Sequence, residues 1–182
     1  MSLFQPINLH KWIEEHRHEL KPPVGNKQVW RDERGTIVMV VAGPNSRKDY
    51  HVNATEEFFY QIEGDIIVGI IHPETGKPED VIIREGEIYL LPANVPHNPK
   101  RPAGTIGLVV EQPRPAGAKD KLQWYSDDTH ELVHEAEFSL ENIETDLKRI
   151  MEEFWSNEEL RTNKKTGSVI SPPTEAVAPP PA

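Results

Sequence analysis

The chain has 182 residues, no cysteine and a formal net charge of −10. This length suits one domain with a sizeable core, and the lack of cysteine excludes disulfides and thiolate metal sites and fits a cytoplasmic protein. No apolar run reaches the roughly 18 residues of a membrane span, and no secretory signal is predicted. The twelve acidic residues of 127–159 outnumber Lys148 and Arg149 by ten. With no basic face to offset them, nucleic acid is excluded as a partner.

The first predicted element is a helix over residues 8–20, with Asn8 as its N-cap, and the Lys-Pro-Pro segment that follows ends it. From Gln28 to about Glu111, short apolar runs alternate with turn residues, which predicts a small antiparallel barrel or sandwich. Residues 72–78 read as the tip of a hairpin, and we assign His72 no metal role.

Two runs within this β region, residues 47–64 and residues 86–101, offer ligands for one metal ion. His51 and Glu57 stand six residues apart in the first run, and His97 follows a Pro-Ala-Asn turn in the second. A continuous strand would separate His51 from Glu57 by roughly 20 Å, whereas N and O ligands lie about 2.0–2.2 Å from a shared ion. The chain is therefore predicted to double back at residues 53–55. Two imidazoles and one carboxylate, with coordination positions left open, suit a non-heme Fe(II).

The C-terminal third contains a rival metal motif. His130-Glu131-Leu132-Val133-His134 matches H-E-x-x-H, in which a helix presents both histidines on one face and the glutamate acts as the general base of a zinc peptidase. The alternation that follows suits a strand equally well, so the zinc peptidase stays an alternative. Residues 140–155 have helical periodicity, and five prolines within 167–182 predict a disordered tail.

The two runs resemble the paired cupin motifs, G-x₇-H-x-N-x₃-E-x₆-G and G-x₅-P-x-N-x₂-H-x₃-R, with Asn53 in place of a second histidine. The surrounding sequence resembles that of the 3-hydroxyanthranilate 3,4-dioxygenase family over about residues 4–167. The segments that carry this resemblance are Lys21-Pro22-Pro23-Val24-Gly25-Asn26, Gly43-Pro44-Asn45, Asp49-Tyr50-His51, Glu56-Glu57-Phe58-Phe59-Tyr60-Gln61 and Gln112-Pro113-Arg114-Pro115-Ala116-Gly117.

The resemblance implies a mainly β, single-domain cupin over residues 1–166, a double-stranded β-helix (jelly-roll) barrel with helices at both ends. It implies O₂-dependent ring opening of 3-hydroxyanthranilate to 2-amino-3-carboxymuconate semialdehyde, on the route from tryptophan through kynurenine to quinolinate and NAD. His51, Glu57 and His97 would bind one Fe(II) per chain, O₂ would be the co-substrate, and the enzyme would be a homodimer.

The resemblance also assigns roles around the metal. Arg47 and Arg101 would bind the substrate carboxylate, which suits the rigid fork of arginine. Glu111 would take the phenolic proton as general base, and Asn26, in a loop over the site, would reach the substrate. A non-catalytic cupin that binds a small acid or a metal is the alternative.

Some members of this family hold a second iron with four cysteines near the C-terminus. In this chain those positions are Ser126, Thr129, Asn163 and Thr166. Hydroxyls and an amide are poor ligands for a tetrahedral, sulfur-type iron site, so the sequence predicts one iron per chain.

Overall fold

A computed structural model describes residues 4–21, 25–30, 35–45, 47–173 and 177–181. The helices are α1 (Leu9–His16), α2 (Asp146–Ser156) and α3 (Glu158–Arg161). The strands are β1 (Gly25–Gln28), β2 (Ile37–Ala42), β3 (Asp49–Val52), β4 (Glu57–Glu63), β5 (Ile66–Ile71), β6 (Pro78–Ile83), β7 (Ile88–Leu91), β8 (His97–Lys100), β9 (Ile106–Glu111), β10 (Asp120–Tyr125) and β11 (Leu132–Phe138).

The strands form two antiparallel sheets that enclose the main core. One sheet has the order β1-β2-β9-β4-β7, and the other has the order β11-β10-β3-β8-β5-β6. Alternate side chains of both sheets point inward and pack together, among them Phe59 from the first sheet and Val68 and Leu122 from the second. The mainly β, jelly-roll architecture of a cupin is therefore confirmed. The predicted hairpin tip at residues 72–78 coincides with the connection between β5 and β6, although its last residue, Pro78, is already the first of β6.

The N-terminal helix covers the outer face of the five-stranded sheet. Asn8 caps α1, because its side-chain oxygen accepts a hydrogen bond from the backbone N–H of Lys11 at 3.0 Å. Ile13 packs in a second apolar cluster with Val40 of β2 and Ile106 of β9. The α-helix is shorter than the predicted range of 8–20, since residues 17–19 form a 3₁₀ turn.

The C-terminal helix begins later than its periodicity predicts. The carboxylate of Asp146 accepts hydrogen bonds from the N–H groups of Glu141 and Asn142 at 2.9 and 2.8 Å, which folds residues 140–145 into turns. The predicted start at residue 140 is therefore wrong, and α2 begins at Asp146. Phe154 of α2 stacks on Trp124 of β10 with ring centroids 4.0 Å apart, so the helix is fixed to the six-stranded sheet.

The H-E-x-x-H residues do not lie on a helix. His134 belongs to strand β11, whereas His130 lies in the turn before it with a left-handed φ of 56°. The His134 ring packs beside Trp124 and Phe154, each with ring centroids 5.7 Å away. The helical face that a zinc peptidase needs is absent, so that alternative is wrong.

Hydrogen bonds join the segment that contains Ser126 and Thr129 to the segment that contains Asn163 and Thr166. The carboxylate of Asp128 accepts from the hydroxyl of Ser126 and, at 3.5 Å, from that of Ser168. Ser168 also lies 2.8 Å from the Thr166 hydroxyl, and its carbonyl accepts from the backbone N–H of Asn163 at 2.8 Å. A polar network therefore connects these segments.

The chain keeps contact with the domain beyond residue 166. Val169 forms a β-bridge with Thr162, and Ile170 is buried in the main core. The division of the chain into a domain ending at 166 and a disordered tail stays a prediction. No helix in the described ranges is long and apolar enough to cross a membrane.

Candidate metal centre and binding pocket

Three neighbouring strands bring the predicted ligands together. His51 of β3 and His97 of β8 are directly opposite each other in the six-stranded sheet, and Glu57 is the first residue of β4 in the facing sheet. The chain reverses between β3 and β4, where the side chain of Asn53 accepts a hydrogen bond from the N–H of Thr55 at 2.9 Å. Such an Asx turn is the local reason for the reversal that the sequence predicts.

The three side chains form one buried cluster. One ligand atom from each of His51, Glu57 and His97 can be chosen so that all three lie within 4.8 Å of one another. Glu57 carboxylate oxygens lie 3.5 Å from His51 Nδ1 and 3.2 Å from His97 Nε2. In the described part of the chain, no other group of three His, Asp or Glu residues meets this criterion. Two nitrogens and one oxygen at this separation fit a metal ion.

Each histidine is oriented through its other ring nitrogen. His51 Nε2 lies 2.7 Å from a carboxylate oxygen of Asp120, and His97 Nδ1 lies 3.1 Å from the carbonyl oxygen of Val95. Contacts of this kind fix the ring orientation of metal-binding histidines. Asn53 donates to Glu57 at 3.2 Å and so orients the third ligand. Sequence reasoning missed Asp120, because it opens β10 and reaches His51 only through strand pairing.

The electrostatics of the cluster favour a bound cation. Burial alone would lower the pKa of His51, but hydrogen bonds to Asp120 and Glu57 raise it to about 9. Burial alone would raise the pKa of Glu57, but the two histidines hold it well below its ordinary value. Positive charge is thus stabilised between acidic groups, and a metal ion would take the place of a proton there.

Glu111 lies beside the cluster at the end of β9. It is directly opposite Glu57 in the five-stranded sheet, and its Oε2 lies 2.6 Å from Arg114. Burial, followed by repulsion from Glu57, raises the pKa of Glu111 to about 7, although Arg114 opposes the shift. Arg114 also lies 2.7 Å from Asp120, so one arginine bridges the carboxylates of Glu111 and Asp120 on two sides of the His-Glu-His cluster.

The two predicted substrate arginines differ in their partners. Arg47 forms an ion pair with Asp49 through Nε and Nη2. Arg101, only 1% exposed, forms no ion pair with any residue that the structure describes. Its Nη1 donates to the neutral Gln61 side chain at 3.2 Å, and its buried Nε has no described partner. Burial, together with repulsion from Arg47, lowers the pKa of Arg101 to about 10, so the group is cationic at neutral pH.

A cavity of about 490 Å³, including its mouth, connects these groups. The three cluster residues, both arginines, Glu111 and Asn26 all lie on its wall. The amide nitrogen of Asn26 donates to the carbonyl of Ile143 at 3.2 Å, while its buried Oδ1 has no described partner. Ile143 and Leu147 close the cavity from the C-terminal segment, which sequence reasoning did not foresee. Of the loop expected over the site, Val24 lies outside the described residues.

The family model of 3-hydroxyanthranilic acid dioxygenase matches residues 1–155. A 3-hydroxyanthranilate 3,4-dioxygenase of Neurospora crassa is 48% identical over 165 residues, 91% of this chain and 89% of that protein. One from Xanthomonas campestris pv. campestris is 47% identical over 176 residues, 97% of this chain and 98% of that protein. A cupin-2 domain containing protein from Shewanella frigidimarina has a TM-score of 0.45 at 16% identity and covers 59% of this chain and 94% of its own. By the family model and these two relatives, the chain belongs to the 3-hydroxyanthranilic acid dioxygenase family.

Proposed function

We propose that the protein opens the ring of 3-hydroxyanthranilate with O₂ to give 2-amino-3-carboxymuconate semialdehyde. One ring bond breaks and both oxygen atoms enter the product. The observation that carries the proposal is a single cavity that joins the His-Glu-His cluster to a buried arginine without a described counter-ion. Nearly full-length relatives bear the name of this activity.

We assign the metal as Fe(II), one per chain, held by His51, Glu57 and His97. When bound, this ion supplies a centre at which an ortho-aminophenol and O₂ can be brought together. The donor set supports the assignment, because two imidazoles and one carboxylate leave positions open for both reactants. Asp120 and Val95 keep the two imidazoles oriented through their outer nitrogens.

The substrate carboxylate is assigned to Arg101 and Arg47. Arg101 carries the charge that no described side chain neutralises, so it is the stronger anchor; Arg47 is already paired with Asp49 and supplies a second contact. Pairing a buried guanidinium with the substrate also removes the cost of leaving it without an anion. The aromatic ring of the substrate is thereby oriented with its amino and hydroxyl groups toward the His-Glu-His cluster.

Glu111 is assigned as the acceptor of the phenolic proton. Arg114 and Asn53 both contact its Oε2, so Oε1 is the atom that would take the proton. Its raised pKa of about 7 matches proton transfer near neutral pH. The buried Oδ1 of Asn26 has no partner among the described residues and can accept a hydrogen bond from the substrate.

The test is reconstitution of the protein with Fe(II) under reductant, followed by O₂ uptake and the absorbance of the ring-opened product. We expect one O₂ consumed for each 3-hydroxyanthranilate. If the iron-loaded protein consumed no O₂ with any aminophenol or catechol, the alternative of a non-catalytic cupin would be favoured.

The arginines have a test of their own. Arg101→Met and Arg47→Met should retain iron, but they should bind the carboxylated substrate more weakly and lose part of their turnover through misorientation. Arg17→Met is the matched control, because Arg17 is a partly exposed residue paired with Glu63 and does not line the cavity. A variant at either site that binds substrate like the parent would show that this arginine is not the anchor.

We also propose that the protein is a homodimer. Ile88 and Leu90, at 66% and 53% exposure, lie on the same face of the edge strand β7. Large apolar side chains on an exposed edge are typical of an interaction surface. Light scattering should give a dimer for the parent and a monomer for Ile88→Asp, and a monomeric parent would contradict the proposal.

A further inference from the structure

The Arg101 guanidinium is held in place by neutral groups. Gln61 is 1% exposed and accepts from Arg101 Nη1 at 3.2 Å through Oε1. Its Nε2 donates to the backbone carbonyl of Glu63 at 2.9 Å. Because that carbonyl accepts only from the amide nitrogen, the oxygen end of Gln61 must face Arg101. The orientation of the amide is therefore fixed.

The neighbouring strand leaves room for this pair. Gly107 of β9 is directly opposite Gln61, and a Cβ at this position would lie 2.8 Å from both Arg101 Nη1 and Gln61 Oε1. On the backbone side, Asn45 accepts from the Arg101 N–H at 2.7 Å and donates to the Pro99 carbonyl at 2.8 Å. Gln61 thus positions the guanidinium while Asn45 fixes the backbone of Arg101, and neither of these two described side chains carries charge.

The other two arginines near the cluster are neutralised. Arg47 pairs with Asp49, and Arg114 lies within 2.7 Å of carboxylate oxygens of both Glu111 and Asp120. A buried guanidinium without an anion is costly. A glutamate in place of Gln61 would have nearly the same shape and would supply that anion, so the amide at this position has a chemical consequence.

We infer that Gln61 determines specificity for a carboxylated substrate, by positioning Arg101 without neutralising it. The guanidinium is then left to pair with the carboxylate of the ligand in the cavity. Gln61 is a positioning residue, since it acts through Arg101 and is not assigned a contact with the reacting atoms. The inference rests on the proposed function, because it takes the ligand of Arg101 to be an aromatic acid.

The test is Gln61→Glu, with two ligands that differ only in the carboxylate. Calorimetry on the iron-loaded protein without O₂ gives the Kd of 3-hydroxyanthranilate and of 2-aminophenol. Turnover measurements in air then give kcat and KM for each ligand. We expect Gln61→Glu to weaken 3-hydroxyanthranilate binding roughly 10- to 100-fold, the loss of a charge-assisted buried hydrogen bond. Binding of 2-aminophenol should change less than about threefold, since the metal centre is untouched.

Two further variants separate charge from placement. Gln61→Met leaves Arg101 unneutralised and should keep the preference for the carboxylated ligand within a few-fold. Gly107→Ala displaces the guanidinium without altering its charge, so it should weaken 3-hydroxyanthranilate more than 2-aminophenol. This variant also keeps the inference testable if Gln61→Glu does not fold.

The outcomes distinguish this inference from the proposed function. If the parent prefers the carboxylated ligand and Gln61→Glu keeps that preference, the role of Gln61 is refuted while the proposed function stands. Equal loss of preference in Gln61→Glu and Gln61→Met would also refute it, because a negative charge at this position would then have no effect beyond loss of the contact with Arg101. A parent without any preference for the carboxylate overturns both.

Discussion

Asp120 offers the sharpest test of how the His-Glu-His cluster is supported by its neighbours. Its Oδ2 lies 2.7 Å from His51 Nε2 and also 2.7 Å from Arg114 Nη2, while its Oδ1 accepts from Arg114 Nε at 3.1 Å. Asp120→Asn keeps the shape of the side chain but replaces one of these two oxygens with an NH₂ group. Whichever way the amide turns, a donor then faces either His51 or Arg114.

The expected loss follows from the role of the contact. Asp120 fixes the His51 ring and makes it a stronger ligand, and removal of such a partner typically lowers metal affinity about 10- to 100-fold. This range corresponds to about 1.4–2.8 kcal/mol of binding free energy. Turnover at saturating iron should fall much less than affinity, since Asp120 is not among the groups assigned to contact the substrate.

The measurement is a chelator-competition titration with Fe(II) in the absence of O₂. Asp127→Asn is the matched control, because that carboxylate is 56% exposed and pairs with Lys48 on the surface. We expect the control to bind iron like the parent. If Asp120→Asn also bound iron within about twofold of the parent, the reasoning that Asp120 supports His51 would be refuted.

Three further predictions concern other parts of the chain. His97→Ala should lose most of the bound metal and nearly all turnover, whereas His134→Ala should keep both. If elemental analysis found the metal retained in His97→Ala and lost in His134→Ala, the assignment of the metal ligands would be wrong. Phe154→Ala should lower the free energy of unfolding by about 3–5 kcal/mol, because it empties the stack on Trp124; a loss below about 1 kcal/mol in urea unfolding would refute this packing role. The active protein should contain one iron per chain, and Asp128→Ala should reduce stability without changing that number. A second tightly bound iron that is lost in Asp128→Ala would contradict the prediction of a single iron.

The ligand residues were predictable because their evidence is local. Spacing required a reversal between His51 and Glu57, and the Asx turn at Asn53 provides it. Residues that precede His97 include Asn94 in a left-handed conformation, with a φ of 63°, which suits the turn residues read from the sequence. The cupin architecture itself came from the resemblance, since alternating apolar runs are equally compatible with other barrels and sandwiches.

The supporting contacts could not be predicted in the same way. Asp120 is 69 positions from His51, and Gln61 is 40 positions from Arg101. Such pairs depend on strand register and on which sheet each strand joins, and periodicity determines neither. The start of α2 was misplaced for a related reason. Ile143 is apolar, lies in the main core and lines the cavity, so it matches the helical periodicity without belonging to the helix.

The three arginines near the His-Glu-His cluster show that residue type alone does not assign a role in this site. Arg114 is neutralised by carboxylates on the metal side, Arg47 is neutralised by Asp49, and Arg101 is left cationic beside a neutral amide. The cavity therefore has an acidic end around the histidines and a cationic end at Arg101. An aminophenol that carries a carboxylate next to its amino group matches this polarity in one orientation, because the reversed ligand would bring its carboxylate against Glu57 and Glu111. The arrangement of partners around each arginine, more than the arginines themselves, is what would orient the substrate for ring opening.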